Sequence, residues 1–210
     1  ILRRKSGNIA KKSPQNSYIL EKKRIFAKKK WQYCQKIFVK RNNMQIKRNF
    51  YLQQLIDGKQ NGLIKIITGI RRCGKSYLLF TLFRQHLIAT GVADDHIIRI
   101  ALDDIENAEL RNPLRLYRNI KASMIDSDLY YILLDEVQLV PRFEEVLNSL
   151  LRIDNADVYV TGSNSKFLSS DIITEFRGRG DEIHLYPLSL SEYCEGTGQT
   201  PRDAWKDYYT

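Results

Sequence analysis

Residues 63–80 read LIKIITGIRRCGKSYLLF, and within them Gly69-Ile70-Arg71-Arg72-Cys73-Gly74-Lys75-Ser76 matches G-x-x-x-x-G-K-[ST] at every fixed position. An apolar run, Ile66-Ile67-Thr68, leads into the octet, and an amphipathic pattern beginning at Lys75 leads out of it. Strand, glycine loop and helix in that order are the context a phosphate-cradling loop requires. The two glycines permit backbone angles that side chains forbid, so successive amides can turn inward on an anion. The following helix adds the partial positive charge of its N-terminus. The spacing predicts a nucleotide-binding set of Gly69, Ile70, Arg71, Arg72, Cys73, Gly74, Lys75, Ser76 and Tyr77. Within it Lys75 reaches the β- and γ-phosphates and Ser76 ligates Mg2+. Arg71 and Arg72 occupy variable positions and receive no catalytic role. Cys73 lies beside a helix N-terminus that would lower its thiol pKa; the reading preferred is a small side chain tolerated in the loop.

Downstream, Tyr130-Tyr131-Ile132-Leu133-Leu134-Asp135-Glu136 is an apolar run ending in two carboxylates. A parallel strand brings its C-terminal end to the same sheet edge as the phosphate loop. Asp135 is therefore expected to hold the metal, through water or Ser76, and Glu136 to polarise the attacking water. A base at that position favours hydrolysis over nucleotide binding alone. A further run, Val158-Tyr159-Val160-Thr161-Gly162-Ser163-Asn164, ends beside the acidic pair, and Thr161, Ser163 and Asn164 are its candidates for touching the γ-phosphate or the water. Turn chemistry accounts for Gly-Ser-Asn equally well. Arg177 and Arg179, in Phe176-Arg177-Gly178-Arg179-Gly180, are candidates for neutralising transition-state charge. Such an arginine is mobile or is delivered by a neighbouring subunit.

From residue 44 onward strand-like runs alternate with helical patterns, which predicts an α/β fold on a parallel sheet. The expected strands are 63–68, 97–102, 130–134, 158–161 and 182–186. Expected helices carry Leu78, Leu79, Leu82, Phe83 and Leu87; Leu116, Tyr117, Ile120 and Met124; and Val146, Leu147, Leu150 and Leu151. Ser189 followed by Glu192 predicts a capping box on a helix after the last strand.

Charge divides the chain in two. Of 34 basic and 24 acidic residues, 14 and one fall in 1–43, which leaves 20 and 23 in 44–210. The globular part is slightly acidic, and the overall +10 belongs to the first 43 residues. That segment is expected to be a disordered, loosely helical or non-native extension with no part in the chemistry. Its alternative role is a basic arm on nucleic acid or anionic lipid, with Tyr18, Phe26, Trp31, Tyr33 and Phe38 interleaved. No apolar run is long enough to span a membrane. Three cysteines far apart fit a reducing compartment, and a cytoplasmic location is expected. His86, His96 and His184 show no metal-ligand spacing.

Taken together, ITGIRRCGKSYLL, YILLDEVQLV, VYVTGSNSKFLSS and FRGRGDEIHLYPLSLSEY resemble the AAA-type P-loop ATP-binding domain of a large family of archaeal and bacterial predicted ATPases. The likeness covers roughly residues 46–210. It implies a three-layer P-loop fold of the additional-strand, catalytic-glutamate class with strand order 5-1-4-3-2. ATP and Mg2+ are the implied ligands, and an unidentified protein, with oligomers among the forms, is the implied partner. It places Lys75, Glu136, Asn164 and Arg179 in the catalytic set and Ser76 and Asp135 at the metal. Its GSN segment occupies a sensor position, which favours Ser163 and Asn164, and its Gly-Arg falls on Gly178 and Arg179, which favours Arg179 over Arg177. The family continues into a C-terminal region where this chain stops at DYYT, so the expectation is a fragment or truncated product. Two alternatives stand beside hydrolysis: an ATP-binding switch with negligible turnover, and a nucleic-acid-associated ATPase.

Overall fold

The computed structural model describes residues 46–163, 176 and 178–209; the basic 1–43 segment lies outside them. Five strands form one sheet: β1 (Ile64–Thr68), β2 (Ile97–Ala101), β3 (Tyr130–Asp135), β4 (Ala156–Thr161) and β5 (Gly180–His184). They lie side by side as β2-β3-β4-β1-β5, every neighbouring pair parallel. Read from the β5 edge this is the expected 5-1-4-3-2 order. The ends of β4 and β5 differ from the expected spans by two residues. Hydrogen bonding to β1 decides the matter for β5, since Ile64 pairs with Gly180 and Thr68 with His184. Apolar content alone gave no sign that Gly180 and Asp181 join the ladder.

Helices cover both faces. On one lie α1 (Asn49–Asp57) and α2, a continuous helix made of an α-turn Lys75–Tyr77, a π-helical segment Leu78–Phe83 and an α-segment Arg84–Ala89. On the other lie α3 (Pro113–Ser123) and α4 (Phe143–Leu150). Alternation along β3 feeds the two cores. Tyr130, Ile132 and Leu134 pack with Leu116 and Ile120 of α3 and Val146, Leu147 and Leu150 of α4. Tyr131 and Leu133 pack with Leu55 of α1 and Leu78, Leu79, Leu82, Phe83 and Leu87 of α2. The near-continuous apolar strands are thus explained by burial on both sides. Two further helices follow β5: α5 (Leu190–Thr197), opened by the expected Ser189–Glu192 capping box, and α6 (Pro201–Tyr209), which the sequence pattern did not announce.

One charged residue interrupts the core. Lys65, the second residue of β1, is fully buried and forms an ion pair with the buried Asp157 on β4. Its ammonium also donates to the Leu63 carbonyl at 2.9 Å and lies 4.7 Å from the centroid of the Tyr159 ring. Tyr159 in turn donates its hydroxyl to Asp157. Burial, with the adjacent Asp157 charge, pushes the Tyr159 phenol well above its usual range. Removing one member of a buried pair leaves the other charge uncompensated, which costs about 3–5 kcal/mol. Asp157→Ala is therefore expected to lower the melting temperature by about 10 °C, whereas Lys65→Met with Asp157→Leu together should recover most of that loss. Thermal unfolding followed by circular dichroism measures both.

Candidate functional site

The turn out of β1 is built on two glycines that must be glycines. Gly69 has φ 140°, and a Cβ there would lie 2.3 Å from the Leu185 carbonyl oxygen. Gly74 has φ 100° and caps α2. Between them Arg72 also takes a left-handed conformation, φ 71°. Alternation of backbone handedness is what turns consecutive amides into an anion-facing concavity. Lys75, 4% exposed, donates to the carbonyls of Gly69 at 3.1 Å and Ile70 at 3.2 Å, so its ammonium is held across the mouth of the loop. Cys73 is buried, and burial pushes its thiol above the ordinary range against the pull of the Lys75 and Arg48 charges. A lowered thiol pKa, raised above as the alternative for Cys73, is therefore not what the loop produces.

The acidic pair lies at the end of β3, which β4 separates from β1, at the same sheet edge. Asp135, the last residue of β3, is 3% exposed and accepts a hydrogen bond from the Thr161 hydroxyl at the end of β4. Burial raises its carboxyl above the usual range; hydrogen bonds from Ser76 and Thr161 pull it down, and the charges of Glu136 and Asp103 push it up again. Ser76 and Asp135, far apart in sequence, thus share a site. Glu136 has φ 54°, and its N–H donates to Thr161 Oγ1 at 3.0 Å. Its Oε2 accepts from the Ser163 hydroxyl at 2.6 Å and from the Gln138 side-chain amide. Of the three candidates on the β4 exit, Thr161 bridges the two acids, Ser163 holds Glu136, and Asn164 lies outside the described residues.

Arg179 stands elsewhere. Its carbonyl accepts from Ile64 N–H, and its guanidinium donates to Asn148 Oδ1 at 2.8 Å. Ile64 begins β1 and the phosphate loop follows Thr68, so Arg179 lies a strand's length, roughly 15 Å, from the loop. Within one chain it does not join the site. Arg177 lies outside the described residues.

Two contributors escaped the sequence reading. Gln138 is only two positions from Glu136, and its Oε1 is buried without a hydrogen-bond partner among the described residues. Arg48, 4% exposed, donates to the Cys73 carbonyl at 2.9 Å from 25 positions away. No local pattern marks it. The histidines also hold a surprise: His96 lies between Asp95 and Asp126, and His96, Asp126 and Asp128 present ligand atoms within 4.8 Å of one another. Against partial desolvation, the two hydrogen-bonded carboxylates hold the His96 imidazole above its usual range. This cluster lies at the start of β2 and β3, away from the phosphate loop.

Comparison with known proteins agrees with this geometry. A family model described as an AAA domain matches residues 61–194. An uncharacterised Haemophilus influenzae protein is 37% identical over 149 residues, which are 70% of this chain and 37% of that protein. An uncharacterised Methanocaldococcus jannaschii protein is 33% identical over 136 residues, 63% of this chain and 28% of its own length. The chain spans about a third of the length of these relatives. Among solved structures, the Walker-type ATPase PABY2304 of Pyrococcus abyssi superposes with a TM-score of 0.54 at 16% identity, covering 81% of this chain and 66% of that one. The Aeropyrum pernix ORC1 protein, solved in complex with DNA, gives 0.50 at 13% identity over 82% of this chain and 53% of that one. Such low identities speak for the fold. The family match extends over more than half of the chain, across the phosphate loop, the acidic pair and the β5 exit, and so the chain belongs to the AAA domain family of P-loop ATPases.

Proposed function

We propose that this chain binds Mg-ATP at the C-terminal edge of its sheet and hydrolyses it, with turnover coupled to a protein partner. The observation that supports this most directly is the convergence of Lys75, Ser76, Asp135, Thr161, Glu136 and Ser163 from three separate strand ends. A structural turn has no use for a buried carboxylate beside a half-buried one. Lys75 would exchange its two loop carbonyls for β- and γ-phosphate oxygens, a stronger charge-assisted pairing. The donors fit a divalent cation: a buried carboxylate and a hydroxyl beside a phosphate-binding loop suit hard oxygen coordination. Ser76 and Asp135 would hold Mg2+, whose chemistry is to withdraw charge from the phosphate oxygens.

Glu136 is the base. Ser163 and Gln138 both occupy its Oε2, which leaves Oε1 to accept a proton from water as the water oxygen attacks the γ-phosphorus and ADP departs. Arg179, remote from the loop of its own chain, would serve only the site of a second copy. The second reading is an ATP-binding switch with negligible turnover. It draws support from the doubly tethered Glu136 and from the distance of Arg179. A role for residues 1–43 on nucleic acid is a separate proposal that rests on their charge.

Lys75→Ala is expected to weaken ATP binding by about a hundredfold or more, as loss of a buried charge contact implies; unchanged affinity in a fluorescent-nucleotide titration would sink the phosphate-loop reading. Glu136→Gln should bind ATP as well as the wild type but release phosphate about a hundredfold more slowly. Equal background rates for both proteins would select the switch reading. Asp135 gives a pH signature. Its folded pKa is raised, so its contribution to stability is present below the unfolded carboxylate value and is lost as pH rises through the folded one. Asp135→Asn should therefore melt higher than the wild type near pH 7 in the absence of nucleotide, by a few degrees, and should lose that advantage at acidic pH while losing phosphate release throughout.

A further inference from the structure

Arg48 gathers three segments that the sequence keeps apart. One guanidinium nitrogen donates to the Cys73 carbonyl at 2.9 Å, inside the phosphate loop. Another donates to the Tyr186 carbonyl at 2.7 Å, just past β5. Its Nε lies 3.0 Å from Oε1 of Glu192 on α5, close enough for an ion pair although the N–H is not aligned as a hydrogen bond. The guanidinium stacks 4.7 Å from the centroid of the Tyr51 ring. Arg48 itself has φ 46° and ψ 42°, a left-handed conformation that costs a non-glycine residue and persists only where its surroundings enforce it.

In a trans peptide the C=O and N–H point in opposite directions. Holding the Cys73 carbonyl toward Arg48 therefore turns the Gly74 N–H the other way. A Cβ on Gly74 would meet nothing nearer than Arg48 Nη1 at 3.8 Å, so the guanidinium backs this peptide directly. We propose that Arg48 is a positioning residue for phosphate binding: it aims the Gly74 amide at the nucleotide phosphate and, through Glu192, couples the loaded loop to α5. The inference rests on the ATP reading above. Phosphate drawing on the Gly74 N–H polarises the same peptide and strengthens the Arg48 contact to the Cys73 oxygen, and a guanidinium held harder at that end also keeps its orientation beside Glu192. Glu192 is free to transmit this because its other oxygen, Oε2, caps α5 through the Ser189 N–H at 2.8 Å.

The test uses the full 210-residue chain with ATP and ADP as probes. Arg48→Lys keeps the charge and loses the fork of donors. It is expected to raise the dissociation constant for both nucleotides about tenfold. In 1H–15N spectra the downfield displacement of the Gly74 amide on adding ADP should shrink. Glu192→Gln keeps an acceptor for the capping box, so α5 stays formed. In that variant the slowing of hydrogen exchange that ATP induces across Leu190–Thr197 in the wild type should disappear, with affinity lowered only a few-fold. Affinity within twofold of the wild type for Arg48→Lys, with the Gly74 displacement intact, overturns the proposal while Lys75→Ala still binds weakly. If Lys75→Ala also binds normally, the ATP reading itself has failed. Should Arg48→Lys not fold, Glu192→Gln decides the coupling: ATP-induced protection of α5 that survives there overturns it.

Discussion

The contact on which the nucleotide-facing edge depends is the approach of the Leu185 carbonyl to Gly69. The ladder between β1 and β5 continues one residue past its last strand pair, with Leu185 N–H donating to the Thr68 carbonyl at 2.9 Å. This carries the β5 exit against the backbone of the loop, where a Cβ has no room. The loop is thus anchored at its origin by a strand that arrives more than a hundred residues later. Its far end is anchored by Gly74 and the start of α2, so a flexible glycine turn becomes a fixed one. Preorganised amides need no rearrangement to meet an anion, which is what makes such a loop effective.

Strain and burial concentrate at this same edge. Arg48, Arg72 and Glu136 are three of the five non-glycine residues with positive φ among those described, and all three lie at or against the phosphate loop and the acidic pair. Each costs on the order of 1–3 kcal/mol. Asp135 adds the cost of a desolvated carboxylate. The opposite end of the sheet carries one left-handed residue as well, Gln60 at φ 56°, whose N–H donates to Asp157, but its charges are matched. There the Lys65–Asp157 pair is neutral in sum and satisfied by Leu63, Tyr159 and Asn61. One edge of the sheet therefore closes on a matched ion pair, while the other gathers the buried Lys75 and Asp135 beside the half-buried Glu136.

What could be read from the sequence follows from how local each cause is. The phosphate loop, the acidic pair and the Ser189–Glu192 cap are set by residues within eight positions of one another, and all three stand where their spacing put them. Double burial made the strands legible as apolar runs. Arg48 was invisible because its partners are 25, 138 and 144 positions away and none forms a pattern with it. Lys65 was hidden inside an apolar run, since nothing in the run reveals the aspartate three strands later in sequence. Gln138 was within reach: a glutamine two residues past a strand-end glutamate is close enough to hold its carboxylate. The His96–Asp126 contact was not, because chain order separates what the parallel pairing of β2 and β3 brings together.

The π-helical stretch in α2 places a limit on how this chain can vary. Six consecutive residues, Leu78–Phe83, wind more widely than an α-helix, and four of them are buried together with Leu87 further on. Such a widened turn accommodates one residue more than regular winding would. Deleting a single residue within it would let the helix close into regular winding with Leu87 still directed at the core, because the widened turn already absorbs that one residue. A deletion in the regular turn before Leu87 has no such reserve and would swing everything beyond by roughly 100° about the axis, taking Leu87 out of the core. A change of length is therefore tolerable inside the widened stretch and intolerable beside it.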